Sequence, residues 1–313
     1  MGFLKAHVLI EKAGRRQGRL ALSRTPSDRH TTMATRALAA FAANLKPSAL
    51  PPAVAVRTQE ILLDSIGNIV RARHDPVSSS TAPLLAALDA MEYGGAGSSR
   101  LVGDSSRRYP PPTAAMINGT LAHSLDFDDT HGAGSIHCSA PVVPAALAAA
   151  EVVGSTGEEL VTAIAAGFEV MTRLSLSLDP TLHYERGYHP TATCGVFGAA
   201  AACGNLYGLD EDEMISAFGI ALSQSSGTLQ FLTDGSWTKR FQVGYASHSG
   251  VIAATLAQKG FVGVSMHAIS TITCSSRDVF SRLVVFAAHR VHRRELWDSE
   301  RDVPKLRHRE SQR

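Results

Sequence analysis

An all-α fold is what this sequence predicts, and three observations carry it. Apolar residues recur at helical spacing in one segment after another. Alternating runs of the kind that make half-buried strands are nearly absent. Aromatic residues make up only 6% of the chain while alanine and glycine are abundant, which suits close-packed helices better than a β-sandwich. At 313 residues the chain has room for one large domain or two smaller ones. Its formal net charge of +2 is too balanced for a nucleic-acid-binding surface.

Taken in order, residues 1–32 carry seven Lys and Arg against two acids, Glu11 and Asp28. That Arg-rich, acid-poor composition fits a transit peptide, a disordered extension, or residues upstream of a start at Met33. Residues 33–263 read as one helical domain. Pro51 and Pro52 open a helix whose Leu62, Ile66, Ile69 and Val70 share a face. Pro110 to Leu125 is helical until aspartates end it. Thr156 with Glu159 and Asp210 with Glu213 are capping-box pairs that start two more helices. The first continues through Leu160, Ile164, Phe168 and Met171, the second through Met214, Phe218 and Leu222. Gly195, Ala199, Ala200, Ala201 and Gly204 form a small-residue stripe suited to close helix packing. Gly154, Gly208 and Gly260 stand where helix C-termini belong. Residues 264–313 change character to a basic tail expected to be poorly ordered, with Leu283–Ala288 its one apolar stretch.

The four cysteines, Cys138, Cys194, Cys203 and Cys274, include no CxxC pair, so no zinc site is expected. Nothing resembles a secretory h-region, which makes a reducing compartment the default. No apolar run reads as long enough to span a bilayer.

Three windows hold the candidate chemistry. Leu121–Pro141 gathers Asp126, Asp128 and Asp129 with His123, His131 and His137. Gly132, Ala133 and Gly134 form a flexible loop able to carry His137 back over Asp126. The window reads equally as an active site or as a loop whose aspartates cap the next helix. In the second, His189 precedes Pro190 and a helix start, with Thr191 or Thr193 as its cap. In the third, Lys239 and Arg240 are adjacent cations able to clamp carboxylates or phosphates. Cations and histidines on loops between apolar helices suit a small polyanion. Taking a proton from carbon beside a carboxylate needs a positioned base and cations for the charge that develops.

The ordered motifs LLDSIGN (62–68), NGTLAHSLDFDDTH (118–131), HCSAPVVPAAL (137–147), GYHPTATCGVFGAAAA (187–202) and DGSWTKRFQVGYASHSG (234–250), followed by GFVG, resemble the MmgE/PrpD family. That family includes 2-methylcitrate dehydratases and cis-aconitate decarboxylases, and the resemblance covers about residues 34–263. It implies a helical domain bearing the active site, joined in the family to a smaller α/β lid. It also implies a homodimer, no organic cofactor and no metal. By position it assigns the active-site aspartate to Asp126 and its neighbouring threonine to Thr130. The loop histidine falls on His137, the histidine of the HP motif on His189, and the substrate-binding lysine on Lys239.

The implied mechanism has Lys239 and Thr130, with Arg240, holding substrate carboxylates. His137 or His189 serves as base or acid, and Asp126 orients a histidine. The reaction is elimination of water from a hydroxy-polycarboxylate or decarboxylation of its unsaturated product. HCSA in place of HPS, after a short spacer, is closer to decarboxylase-like members. No family motif is recognised after GFVG, so the lid is expected to be missing and activity impaired; a non-catalytic family fragment is the alternative. A metal-dependent diphosphate enzyme reading of DFDD would leave the other four motifs unexplained. The expected location is the cytoplasm or the mitochondrial matrix, with no nucleic acid or membrane as partner.

Overall fold

The computed structural model describes residues 26–75, 80–95, 97–178 and 180–264. The expectations for the first 25 residues, for Cys274 and for the tail from 265 onward fall outside them. Helix α1 (Pro26–Asn44) begins ahead of the expected boundary at residue 33. It is followed by α2 (Pro52–His74), α3 (Thr81–Ala90), α4 (Pro111–Ala122), α5 (Ser139–Val153), α6 (Gly157–Ser177), α7 (Pro180–Glu185), α8 (Pro190–Tyr207), α9 (Glu211–Gln224) and α10 (Thr238–Gln258).

The starts and stops follow local chemistry. Prolines occupy the first turns of α2, α4 and α8, where a missing N–H costs nothing. Thr156 and Asp210 accept from the Glu159 and Glu213 amides, and both glutamates reach back to the cap backbone, closing two full capping boxes. Gly154 and Gly208 end α5 and α8 in the left-handed region, at φ 65° and 70°.

Among the described residues the all-α expectation holds apart from one antiparallel hairpin, β1 (Ser99–Leu101) and β2 (Asp104–Tyr109), turning at Gly103. A side chain of α4 ties it down: Asn118 accepts from the Val102 amide at 3.0 Å and donates to the Arg100 carbonyl at 3.2 Å.

Helix α8 is the hub. It packs on α5, α6, α9 and α10, and every residue from Pro190 to Gly204 is buried. The small-residue stripe is therefore core packing. A methyl on Gly198 would stand 2.9 Å from the Gly167 carbonyl, and one on Gly250 of α10 would stand 2.3 Å from Ala199 Cβ. Glycine at these contacts lets α6 and α10 each approach α8 closely. Helix α6 corrects one expectation, since by length and composition it is apolar enough to cross a membrane. Two thirds of its most apolar stretch is buried inside the protein, in the core against α8.

Candidate functional site

The candidate residues lie at helix ends. Helix α4 stops at His123, and the chain then runs irregularly to α5. Asp126 takes a left-handed backbone, φ 59°, which aspartate tolerates better than most side chains. Its carboxylate forms an ion pair with Lys239, on the first turn of α10, 113 residues away. Packing of α4 against α10 at Gly119 and Gly244 makes that meeting possible. Burial alone would raise the Asp126 carboxyl, but the Lys239 ammonium holds it below the usual carboxylate range.

The expected flexible loop is a closed turn. His131 and Ile136 bridge their backbones, the Gly134 amide donates to His131 Nδ1 at 3.0 Å, and Ser175 Oγ donates to the Gly134 carbonyl at 2.6 Å. The turn returns His137 to face Thr130 Oγ1 at 3.5 Å and Asp128 Oδ2 at 3.6 Å. The His137 amide donates to Thr191 Oγ1 at 3.2 Å.

Asp128 is the carboxylate in contact with histidines. Its Oδ2 accepts from His123 Nδ1 at 2.7 Å, and both side chains are wholly buried. Among the described residues, Asp128 Oδ1 and His123 Nε2 find no partner. A buried polar atom left without a partner costs about 1–3 kcal/mol. Asp129 does what a capping loop would do. It accepts from the amides of Cys138 and Ser139 at 3.3 and 2.8 Å, at the start of α5. Burial pushes its carboxyl up, against the pull of those two bonds.

His189 closes the group from α8. Its ring stacks on His123, centroids 5.8 Å apart, and meets Phe231 edge-on at 5.1 Å. Its Nδ1–H donates to Gln242 Oε1 at 3.2 Å, which leaves Nε2 as an acceptor. Burial, helped by the fields of His123, Lys239 and His137, lowers its pKa to about 3, so the ring is neutral. Neither threonine caps α8 through its side chain. His189 occupies the N-cap, Thr191 serves His137, and Thr193 Oγ1 contacts His183 Nε2 and the His189 carbonyl.

Arg240 points to Ser80 Oγ at 3.3 Å. Burial lowers its pKa, and no carboxylate among the described residues lies in ion-pair range of it. Cys138, next to His137, is buried with its thiol pushed far up, so it is no nucleophile.

The structure thus brings Asp126 to Lys239, His137 to Thr130, and His137 and His189 to a common neighbour, His123. That neighbour and Asp128 had no assigned role in the sequence, and the only signal for them was their place in the crowded window. His123, Asp128 and His137 offer donor atoms within 4.8 Å of one another, close enough for a shared ion. The 2.7 Å contact between His123 and Asp128 is nevertheless a direct hydrogen bond, with donor and acceptor already satisfying each other.

The model of the MmgE/PrpD N-terminal domain matches residues 36–273, past the expected boundary at 263. A cis-aconitate decarboxylase-like protein of Aspergillus oryzae is 33% identical over 237 residues, covering 74% of this chain and 48% of the relative. The cis-aconitate decarboxylase of Aspergillus terreus is 29% identical over 226 residues, 71% of this chain and 45% of its own length. The human cis-aconitate decarboxylase is 33% identical over 170 residues, 53% and 35%. The chain therefore spans less than half the length of these curated relatives. With the domain match covering most of the sequence and the motif residues gathered at one set of helix ends, the chain belongs to the MmgE/PrpD family.

Proposed function

We propose that this chain supplies the helical, site-bearing part of a lyase for small polycarboxylates. The favoured reaction is decarboxylation of an unsaturated tricarboxylate of the cis-aconitate type, because that is the activity the relatives are named for. Elimination of water from a hydroxy-polycarboxylate such as 2-methylcitrate uses the same parts.

One observation carries the reading: a neutral histidine, His189, and a partly exposed one, His137, share a site edge with two cations. Of those cations Arg240 has no carboxylate within ion-pair range among the described residues. A part-buried guanidinium that feels Asp126 only through space, with no carboxylate among the described residues in ion-pair range, suits an anionic ligand. Both reactions build negative charge on carbon beside a carboxylate. In decarboxylation the C–CO2 bond breaks, its electron pair delocalises over the alkene, and a proton must be delivered to carbon. In elimination a base removes the proton and hydroxide departs as water. Lys239, Arg240 and Thr130 hold the carboxylates, with Asp126 keeping the Lys239 ammonium in place. His137, the more exposed of the two, carries the proton, and neutral His189 hydrogen-bonds or accepts through Nε2. The working enzyme is proposed to be a homodimer that needs no organic cofactor.

The test is a panel of cis-aconitate, 2-methylcitrate and citrate on the full-length protein, following CO2 release and alkene formation separately. His137→Ala and Lys239→Ala are each expected to lower turnover by about 100-fold or more. Undiminished turnover in both would sink the assignment.

A further inference from the structure

His123 and Asp128 have no part in the scheme above, yet they are the most deeply buried polar pair at the site. Asp128 Oδ2 faces two imidazoles through the same ring atom, His123 Nδ1 at 2.7 Å and His137 Nδ1 at 3.6 Å. The His123 ring meets His137 edge-on, centroids 4.9 Å apart, and stacks on His189 at 5.8 Å. It therefore backs both rings that the proposed chemistry uses. Asp128 is not free to follow a moving ring. The next residue, Asp129, is fastened by two amides at the start of α5, and the His137 amide is fastened to Thr191.

A carboxylate beside one ring nitrogen favours the hydrogen on that nitrogen, which leaves the lone pair on the other; at His137 the 3.6 Å separation is ion-pair range, and the Thr130 hydroxyl, 3.5 Å from the same Nδ1, can accept from it as well. We infer that His123 and Asp128 are a positioning pair, in which Asp128 sets His137 in its Nδ1–H form and His123 holds Asp128 in place, so that His137 Nε2 is the atom that exchanges a proton with substrate. This rests on His137 being the proton carrier. When Nε2 takes a proton the ring becomes cationic, and the buried carboxylate at Nδ1 stabilises it. When Nε2 gives the proton up, the ring returns to the Nδ1–H form without turning over.

Nitrogen NMR of the 313-residue chain, labelled with 15N-histidine and free of substrate, reads each ring's tautomer directly. The His137 signal is identified by its loss in His137→Gln. His123 and His137 are both expected as Nδ1–H; an Nε2–H form at His137 overturns the inference. Asp128→Asn is expected to move His137 toward Nε2–H and to lower kcat about 10- to 100-fold with KM held within about threefold. A folded Asp128→Asn with unchanged tautomer and unchanged kcat would overturn it as well. Should that variant fail to fold, His123→Gln and His123→Ala decide. Glutamine keeps a donor for Asp128 and should retain most of the kcat that alanine loses, whereas equal losses in the two refute the pairing. The tautomers are read without turnover. Inactivity on every acid in the panel would therefore remove the proposed function while the spectra still decided this point.

Discussion

Adding one methyl group at Gly244 tests whether the α4–α10 contact builds the site. A Cβ there would lie 2.1 Å from Thr120 Oγ1 and 2.4 Å from the Met116 carbonyl, where ordinary contact begins at 3.4 Å. The Thr120 hydroxyl, which donates to that same carbonyl at 2.9 Å, can rotate away. The carbonyl is helix backbone and cannot, so the two helices must part by about 1 Å at this level, the shortfall between 2.4 and 3.4 Å. Overpacking of this kind costs about 1–3 kcal/mol, and a backbone partner puts the cost near the upper end. Alanine returns about 1 kcal/mol of helix propensity. The net loss is about 2 kcal/mol, or a melting point lower by about 4–8 °C for a domain of this size. Gly67, inside α2, is the control, because a Cβ there meets nothing within 4 Å. Gly67→Ala should gain about 0.5–1 kcal/mol. Calorimetric melting of both variants gives the comparison. The parting also draws Lys239 away from Asp126, so Gly244→Ala should lose turnover in the full-length protein while Gly67→Ala keeps it. A Gly244→Ala protein that melts at or above the parent temperature refutes the close-contact argument.

Two further outcomes follow from single features. Thr156→Ala and Asp210→Ala should each cost about 1 kcal/mol, and about 2 kcal/mol together because they cap different helices with no shared partner. Urea midpoints should fall with unchanged m-values, and a double variant no worse than either single one would contradict the capping geometry. Stability should also fall on acidification from pH 7. Burial depresses His183 to about 4 and His189 to about 3. Above about pH 6.5 both rings are neutral in either state. Between about 6.5 and 4 the unfolded chain binds protons that the folded one refuses, costing about 1.4 kcal/mol per histidine per pH unit. Burial lowers His248 in the same direction, so melting points measured from pH 7 to 5 should drop, and His189→Gln should remove one histidine's share of the slope. A flat profile would mean that these rings are not buried as described.

The legible parts of the fold were those whose cause is local. Thr156, Asp210, Pro51 and Gly208 act on their own helix, and each sits where the sequence puts it. The hairpin was not legible, because SRL and DSSRRY show no apolar alternation. Its turn is held instead by Asn118, which sits in a motif valued for other reasons. Helix α6 shows the opposite failure. Its apolar residues are countable in the sequence, but only tertiary packing tells a core helix from a span. Within the site, the pairing of Lys239 with Asp126 spans 113 residues, and no local pattern could have joined them. The family motifs marked both residues without saying that they touch.

The three aspartates of DFDD show why residue type alone could not settle the window. Once α4 ends at His123, the chain must turn, and the turn sends the three carboxylates in different directions. Asp126, left-handed and mostly exposed, meets a lysine. Asp128, wholly buried, meets two histidines. Asp129 meets the backbone amides that open α5. The first suits a group that must release its cation to a ligand, since an exposed pair is worth about 0–1 kcal/mol. The second suits fixed orientation, because a buried hydrogen-bonded charge is hard to move. The third suits structure alone. One window therefore holds a capping carboxylate, Asp129, beside two others that face a lysine and two histidines. Asp126→Asn should change substrate binding, Asp128→Asn the proton step, and Asp129→Asn the stability of α5, three separable effects from the same exchange at three neighbouring positions.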